Sequence, residues 1–275
     1  MLAALIQLNS SDDIDANVDV AAQLITQAAE AGAAFVSTPE TTHLMEMNRG
    51  QVLSKTFAES EDPGLRVFCE LAKELDIWLH LGSLIIKVGE ERLANRAFLI
   101  SPNGEIAARY DKAHLFDVEL GDGESYRESA LYQAGATSSV VATPIGSFGL
   151  SICYDLRFPY LYRSLAHAGA NILLVPAAFT QPTGEAHWHT LLRARAIETG
   201  CFVLAAAQTG LHATGRRTFG HSLAIDPWGN VLMDAGTKTG VTMVDLDLKL
   251  VEKARRKIPS LSHDRQVTVA QLTAD

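Results

Sequence analysis

Cys153, Glu40 and Lys112 are the residues of this chain whose types and surroundings could carry out a reaction together. Cys153 sits in Gly149-Leu150-Ser151-Ile152-Cys153-Tyr154-Asp155-Leu156-Arg157-Phe158-Pro159, where an apolar run ends at one cysteine and a polar, charged turn comes next. Glu40 closes Thr38-Pro39-Glu40, and Lys112 lies in Tyr110-Asp111-Lys112-Ala113-His114-Leu115, each again just past an apolar run. A thiolate attacks an amide or nitrile carbon readily, but a free thiol has a pKa of about 8.5 and is mostly protonated at neutral pH. A nearby ammonium favours the thiolate, and a carboxylate can accept the proton. The tetrahedral oxyanion formed on attack needs donors, and Lys112 with the backbone N–H of Tyr154 would supply them. The pattern predicts a hydrolytic site, with Glu40 taking the thiol proton, passing it to the leaving nitrogen and then activating water.

The elements that must position these groups alternate between strand and helix. Residues 3–8 read as a strand, followed by a helix near 17–31 with Val18, Ala21, Ala22, Ile25, Ala28 and Ala29 on one face and Gly32 at its end. Residues 33–37 are the next strand, with Glu40 just beyond it. A helix over 64–75 precedes a strand at 77–81, and strands at 97–100 and 105–109 flank the hairpin turn Ser101-Pro102-Asn103-Gly104 before Lys112. The second half repeats the scheme. Strands near 138–143 and 147–152 lead to Cys153, then a helix near 159–168, a strand over 171–175, a helix near 186–199 and a strand near 201–207. A hairpin around Asp226-Pro227-Trp228-Gly229-Asn230, a strand at 241–246 and a helix near 248–257 complete the chain. Such alternation predicts α/β layers with buried sheets, the two halves packing face to face with helices outside. All three polar fragments come after strand ends, where α/β folds place their sites.

The chain has 275 residues, 47% of them hydrophobic, and no linker, repeat or low-complexity tract, so residues 1–275 are expected to form a single domain with a large core. A net charge of −9 disfavours nucleic acid and anionic membranes as partners. No stretch reaches the ~18 apolar residues of a membrane span. The start, Met1-Leu2-Ala3-Ala4-Leu5-Ile6-Gln7-Leu8, lacks a basic segment and reads as a first strand rather than an export signal. Three widely spaced cysteines make no disulfide framework, which points to the reducing cytoplasm. Cys69 and Cys201 read as packing residues. His187-Trp188-His189 has the look of a metal pair, but no H-E-x-x-H pattern or cysteine cluster accompanies it, so no metal is expected. Gly149-x-Ser151-x-Cys153 nearly imitates a serine nucleophile elbow, except that the second glycine position is Cys153 itself.

The order Glu40, Lys112, Cys153 resembles the triad of the nitrilase (carbon–nitrogen hydrolase) superfamily. The likeness runs from the first strand to Ile258-Pro259 and is most specific at Lys112-Ala113-His114-Leu115-Phe116-Asp117, around Cys153, and at Gly220-His221-Ser222-Leu223-Ala224-Ile225-Asp226-Pro227-Trp228-Gly229. The resemblance implies a four-layer αββα sandwich, a homodimer, and no metal or organic cofactor. It makes Glu40 the general base, Lys112 the oxyanion stabiliser, Cys153 the nucleophile and Glu128, in Tyr126-Arg127-Glu128-Ser129, a second glutamate beside the lysine. Thr183-Gly184-Glu185-Ala186-His187-Trp188, Ala196-Ile197-Glu198-Thr199 and Ala205-Ala206-Ala207-Gln208 are similar to the Nit branch, closer to its Nit1 type, whose members hydrolyse deaminated glutathione, than to the Nit2 type, whose members are ω-amidases of α-ketoglutaramate and α-ketosuccinamate. Both substrates are small amides with an α-keto acid end. Arg157 is the expected partner of that carboxylate, and Tyr154, Phe179 and Thr180 are expected to bind or line the substrate. An N-carbamoyl amidohydrolase, a nitrilase and a non-catalytic scaffold are the remaining alternatives. Two departures stand out: Thr38-Pro39-Glu40 replaces the common Leu-Pro-Glu, and Phe158-Pro159-Tyr160 replaces Phe-Pro-Glu, which removes an acidic neighbour behind Arg157.

Overall fold

Alternation of apolar residues builds two sheets that meet face to face. The structure, a computed structural model, describes residues 1–121 and 124–273. The first sheet has β1 (Leu2–Gln7), β2 (Phe35–Ser37), β3 (Trp78–Lys87), β4 (Leu93–Ile100) and β5 (Ile106–Asp111), with β16 (Gly240–Asp245) on the far side of β1. The second has β8 (Val140–Thr143), β9 (Gly146–Leu150), β10 (Ile172–Leu174), β11 (Phe202–Ala205), β14 (Leu223–Ile225) and β15 (Val231–Asp234). Their orders, β16-β1-β2-β3-β4-β5 and β15-β14-β11-β10-β9-β8, repeat one plan: a parallel centre with antiparallel flanks. Ala3, Leu5, Phe35, Ala97 and Leu99 face the second sheet, and Phe35 stacks on Phe148 with ring centroids 4.7 Å apart. The alternate residues Ala4, Ile6, Val36, Phe98 and Ile100 face the other way, under helices α1 (Ile14–Glu30) and α3 (Pro63–Glu74). Helices α4 (Pro159–His167) and α5 (Gln181–Thr199) cover the second sheet through Leu165, Trp188 and Leu192. The result is a four-layer αββα sandwich. Each large apolar side chain so buried contributes ~1.5–3 kcal/mol of transfer free energy.

Local chemistry moves several element ends from where periodicity alone places them. Helix α1 begins at Ile14 rather than near 17, because the Asp13 side chain caps it by accepting Ala16 N–H at 3.1 Å. Helix α5 begins at Gln181 rather than near 186: Pro182 fits a first helical turn, and Gly184 is a packing residue, since a Cβ there would lie 2.3 Å from Phe219. Strand β3 continues past 81 to Lys87, its register shifting between Leu81 and Leu84.

Three further pieces have no counterpart in the expected elements. They are α2 (Arg49–Lys55), the hairpin of β6 (Asp117–Gly121) with β7 (Glu124–Arg127), and the hairpin of β12 (Thr209–Leu211) with β13 (Arg217–Phe219). All are short and none carries a long periodic stripe. Helix α6 (Lys249–Lys257) closes the chain's regular structure, with its Lys/Arg cluster in the last turn. The two sheets are also stitched together by main chain, Thr209 N–H donating to Leu8 O at 2.8 Å.

Candidate active site

Glu40 lies just beyond the C-terminal end of β2, in a loop pressed onto β3. The approach is close enough to require glycine at position 82, where a Cβ would come within 2.2 Å of Thr38 O and 2.4 Å of Pro176 Cβ. Gln208 holds the loop from the other sheet, its Nε2 donating to Glu40 O at 3.0 Å and to Ser10 Oγ at 2.7 Å. The carboxylate itself is buried and fully engaged. Its Oε1 accepts Asn95 Nδ2 at 2.8 Å and Lys112 Nζ at 2.9 Å, and its Oε2 accepts Ala178 N–H at 2.8 Å.

Lys112 comes directly after β5, with 2% of its surface exposed. Its ammonium is shared between Glu40 and Glu128, lying 2.9 Å from Glu128 Oε2. Glu128 is fixed in turn by Phe116 N–H, which donates to its Oε2 at 2.6 Å. A buried ammonium survives only with such partners.

Cys153 stands beyond β9 at the start of a tight 3-10 turn over Cys153–Arg157 and adopts φ of +49°, a left-handed conformation that costs energy for a residue with a Cβ. Two groups hold it there. Cys153 N–H donates to Pro176 O at 2.9 Å, and the buried Asp155 ties the turn to the lysine segment. Asp155 Oδ2 accepts Ile152 N–H at 2.8 Å and Tyr110 O–H at 2.7 Å, while Oδ1 accepts His114 N–H at 3.1 Å and lies 2.6 Å from His114 Nδ1. One carboxylate thus fixes the distance between the Cys153 turn and the segment that carries Lys112.

Burial by itself would push the Glu40 carboxyl up, but the Lys112 charge, hydrogen bonds from Cys153 and Lys112, and the Arg216 charge hold it below its ordinary value. Burial and the Glu40 charge push the Cys153 thiol well above the usual thiol range, against the pull of Lys112. Burial also works against the Lys112 charge, but Glu128 and Glu40 outweigh it and keep the group an ammonium. The resting site is therefore carboxylate, ammonium and thiol. Two carboxylates share the ammonium's charge, and the Glu40 charge beside the sulfur favours the thiol, whose proton Glu40 is expected to take.

These groups open onto a cavity of about 300 Å³, also lined by Tyr154, Phe179 and Thr180. Phe179 packs on Trp188, and Thr180 precedes the first turn of α5. Arg157 departs from expectation. It is outside the cavity lining, its Nη2 donating to His187 Nδ1 at 3.3 Å and its guanidinium lying 5.6 Å from the Phe179 ring centroid. The Cys153–Arg157 segment is a 3-10 turn with about three residues per turn, so four residues of spacing rotate Arg157 roughly 120° away from Cys153. The three unanticipated pieces add further wall, α2 through Arg49 and Val52, β7 through Tyr126 and Arg127, and the β12–β13 turn through Arg216, beside Leu44, Met45, Ile85 and Leu131. Asn95, Asp155 and Gln208 are site residues that the sequence motifs did not single out. Asp155 and His114 lie inside the two most specific motifs, so those motifs held a signal for them.

His187 and His189 do not act as a pair. His189 Nε2 instead lies 3.0 Å from Asp234 Oδ2, and His221 Nδ1 lies 2.9 Å from Asp234 Oδ1. The ligand atoms of His189, His221 and Asp234 all lie within 4.8 Å of one another.

The sequence and the αββα fold match known proteins along nearly the whole chain. Residues 2–256 match the carbon–nitrogen hydrolase family, and the chain belongs to it. It is 41% identical over 267 residues to a Synechocystis protein named deaminated glutathione amidase, covering 95% of this chain and 97% of that one. Its fold superposes on the Caenorhabditis elegans NitFhit protein with a TM-score of 0.90 at 38% identity, over 96% of this chain and 65% of that longer one. It also superposes on a mutant amidase from Nesterenkonia sp. AN1, in which acrylamide has added to the active-site cysteine, with a TM-score of 0.80 at 28% identity over 94% of this chain and 98% of that one. The chain is thus a carbon–nitrogen hydrolase.

Proposed function

We propose that this protein is an amidase that hydrolyses the C–N bond of deaminated glutathione through a thioester on Cys153. The observation that carries the reading is the convergence of Glu40, Lys112 and Cys153 on one cavity, with the Glu40 carboxylate 2.9 Å from the Lys112 ammonium. Glu40 accepts the thiol proton as sulfur forms its bond to the amide carbon, so no free thiolate is needed. The amide oxygen becomes an oxyanion facing the Lys112 ammonium and the Tyr154 N–H. Glu40 returns the proton to the departing nitrogen, the C–N bond breaks, and the acyl group stays on sulfur. Water then gives a proton to Glu40, attacks the thioester and expels the sulfur, which takes the proton back. Glu128 keeps Lys112 charged and aimed, while Phe179 and Thr180 line the cavity that receives the substrate.

The substrate rests on two further supports. Relatives about 40% identical over nearly the whole chain carry that activity in their names, as the Synechocystis protein does. A cavity of about 300 Å³ also leaves room for an amine larger than ammonia. We place the enzyme in the cytoplasm as a homodimer of single-domain protomers. Its three cysteines are free thiols, as a reducing compartment keeps them, and Ile197, Trp228 and Ile258 line a groove that a second copy would cover.

The test is hydrolysis of deaminated glutathione, monitored by release of α-ketoglutarate and cysteinylglycine. Cys153→Ala should lose at least ~10⁴-fold in kcat, and rapid quenching of the wild-type enzyme should trap an acyl group on Cys153 by mass. Turnover surviving in Cys153→Ala overturns the mechanism. A higher kcat/KM for α-ketoglutaramate than for deaminated glutathione makes the protein an ω-amidase instead.

A further inference from the structure

Arg216 lines the active-site cavity, and beyond its charge acting on Glu40 it has no part in the chemistry above. The other cations there each have a carboxylate neighbour. Lys112 serves Glu40 and Glu128, Arg49 lies 3.3 Å from Glu91, and Arg127 lies 3.9 Å from Glu119. Among the described residues, no carboxylate is paired with Arg216. Its Nη2 donates to Ala178 O at 2.7 Å, its Nη1 faces the Met45 sulfur at 4.0 Å, and its Nε is out of solvent with no acceptor. The guanidinium also lies 5.3 Å from the Tyr126 ring centroid, which fixes its plane.

A guanidinium that stays charged, is half buried and has an N–H without an acceptor is matched best by a carboxylate, whose two oxygens fit its fork. Its position says where such a group would belong. Ala178 accepts from Arg216 and donates its own N–H to Glu40 Oε2, so the guanidinium lies one peptide unit from the group that must meet the scissile nitrogen. An anion held at Arg216 is therefore part of a molecule whose amide reaches Glu40.

We infer that Arg216 is a substrate-binding residue that takes a carboxylate of the amide substrate, the role expected of Arg157. The inference rests on the amidase reading above. Deaminated glutathione has one carboxylate on its acyl half and one on its amine half, and two matched pairs of amides tell them apart. α-Ketoglutaramate and levulinamide differ by a carboxylate against a methyl on the acyl side. Deaminated glutathione and its glycinamide differ by the carboxylate on the amine side.

Wild type, Arg216→Ala and Arg216→Lys are compared by kcat/KM on all four. Within each pair the uncharged amide reports any disturbance of Glu40 through Ala178, so the ratio isolates the anion. Arg216→Ala should lower one ratio by about 30-fold, chiefly through KM, with partial recovery in Arg216→Lys. A fall in the first ratio assigns the acyl carboxylate, and a fall in the second assigns the amine-side carboxylate. Both ratios staying at the wild-type value overturns the inference. Calorimetric titration of α-ketoglutarate into Cys153→Ala, with and without Arg216→Ala, reads anion binding without turnover. If the wild type hydrolyses none of the amides while that binding is present and is lost with Arg216, the amidase reading fails and the anion site stands.

Discussion

Replacing Asp155 by asparagine removes a charge while keeping the shape, and the cost can be worked from its hydrogen bonds. Oδ2 accepts from Ile152 N–H and Tyr110 O–H, and Oδ1 accepts from His114 N–H with the His114 ring nitrogen beside it. A carboxamide has one oxygen. Whichever way it turns, an NH2 group faces two former donors, and two buried groups lose their acceptor. Each such loss costs ~1–3 kcal/mol, so Asp155→Asn should destabilise the fold by roughly 3–5 kcal/mol. At ~2–4 °C per kcal/mol for a chain of this size, the melting temperature should fall by about 10 °C. The kinetic effect should be larger than stability alone predicts. The same carboxylate sets the distance between the Cys153 turn and the Lys112 segment, and misplacing reacting groups by about 1 Å costs ~10²-fold. Differential scanning calorimetry and kcat for amide hydrolysis at about 15 °C, where a variant so weakened remains folded, read the two effects separately. A variant with wild-type melting and wild-type kcat would show that the tie between the two segments is made elsewhere.

Two other perturbations bear on the site. Glu40 is held below its ordinary 4.5 and Cys153 is pushed above 9.0, so both working forms persist across neutral pH. Lowering pH protonates Glu40 only below 4.5, where its contributions to activity and stability are both lost, and log kcat/KM should be level between about 5.5 and 8.5. A roughly tenfold rise per unit between about pH 7 and 8.5 would mean the thiol must ionise before it reacts, contrary to proton transfer within the pair. Gly82→Ala places a methyl within 2.2 Å of Thr38 O and 2.4 Å of Pro176 Cβ, and neither neighbour can swing aside. Urea titration should show a loss of ~1–3 kcal/mol or more, with kcat falling further because the wedge separates Glu40 from the Cys153 side; an unchanged kcat would show that the loop yields freely.

Glu40, Lys112 and Cys153, the groups proposed to do the chemistry, were legible because each stands polar just past a buried strand. The structure brings Lys112 together with Glu40 and with Glu128, which only the family resemblance had singled out. The walls around them were not legible. Helix α2 and the hairpins β6–β7 and β12–β13 are a few residues long, and their stability comes from packing on the sandwich rather than from any periodic stripe of their own. Arg157 shows the same limit at one residue. Spacing from Cys153 was readable, but the direction of its side chain depends on a tight turn whose geometry Asp155 sets. The state of the sulfur was also out of reach, since it depends on how one ammonium is divided between two carboxylates.

The reactive centre straddles the seam of the sandwich, with Glu40 and Lys112 on one sheet and Cys153 and Ala178 on the other. The first sheet, moreover, is finished only when β16, drawn from the end of the chain, joins β1. A nascent chain on the ribosome, or one partly unravelled by heat, accordingly carries an ordinary thiol with no base beside it. The base and the thiol meet only where the two sheets are docked, so on the proposed mechanism amide hydrolysis depends on the intact sandwich.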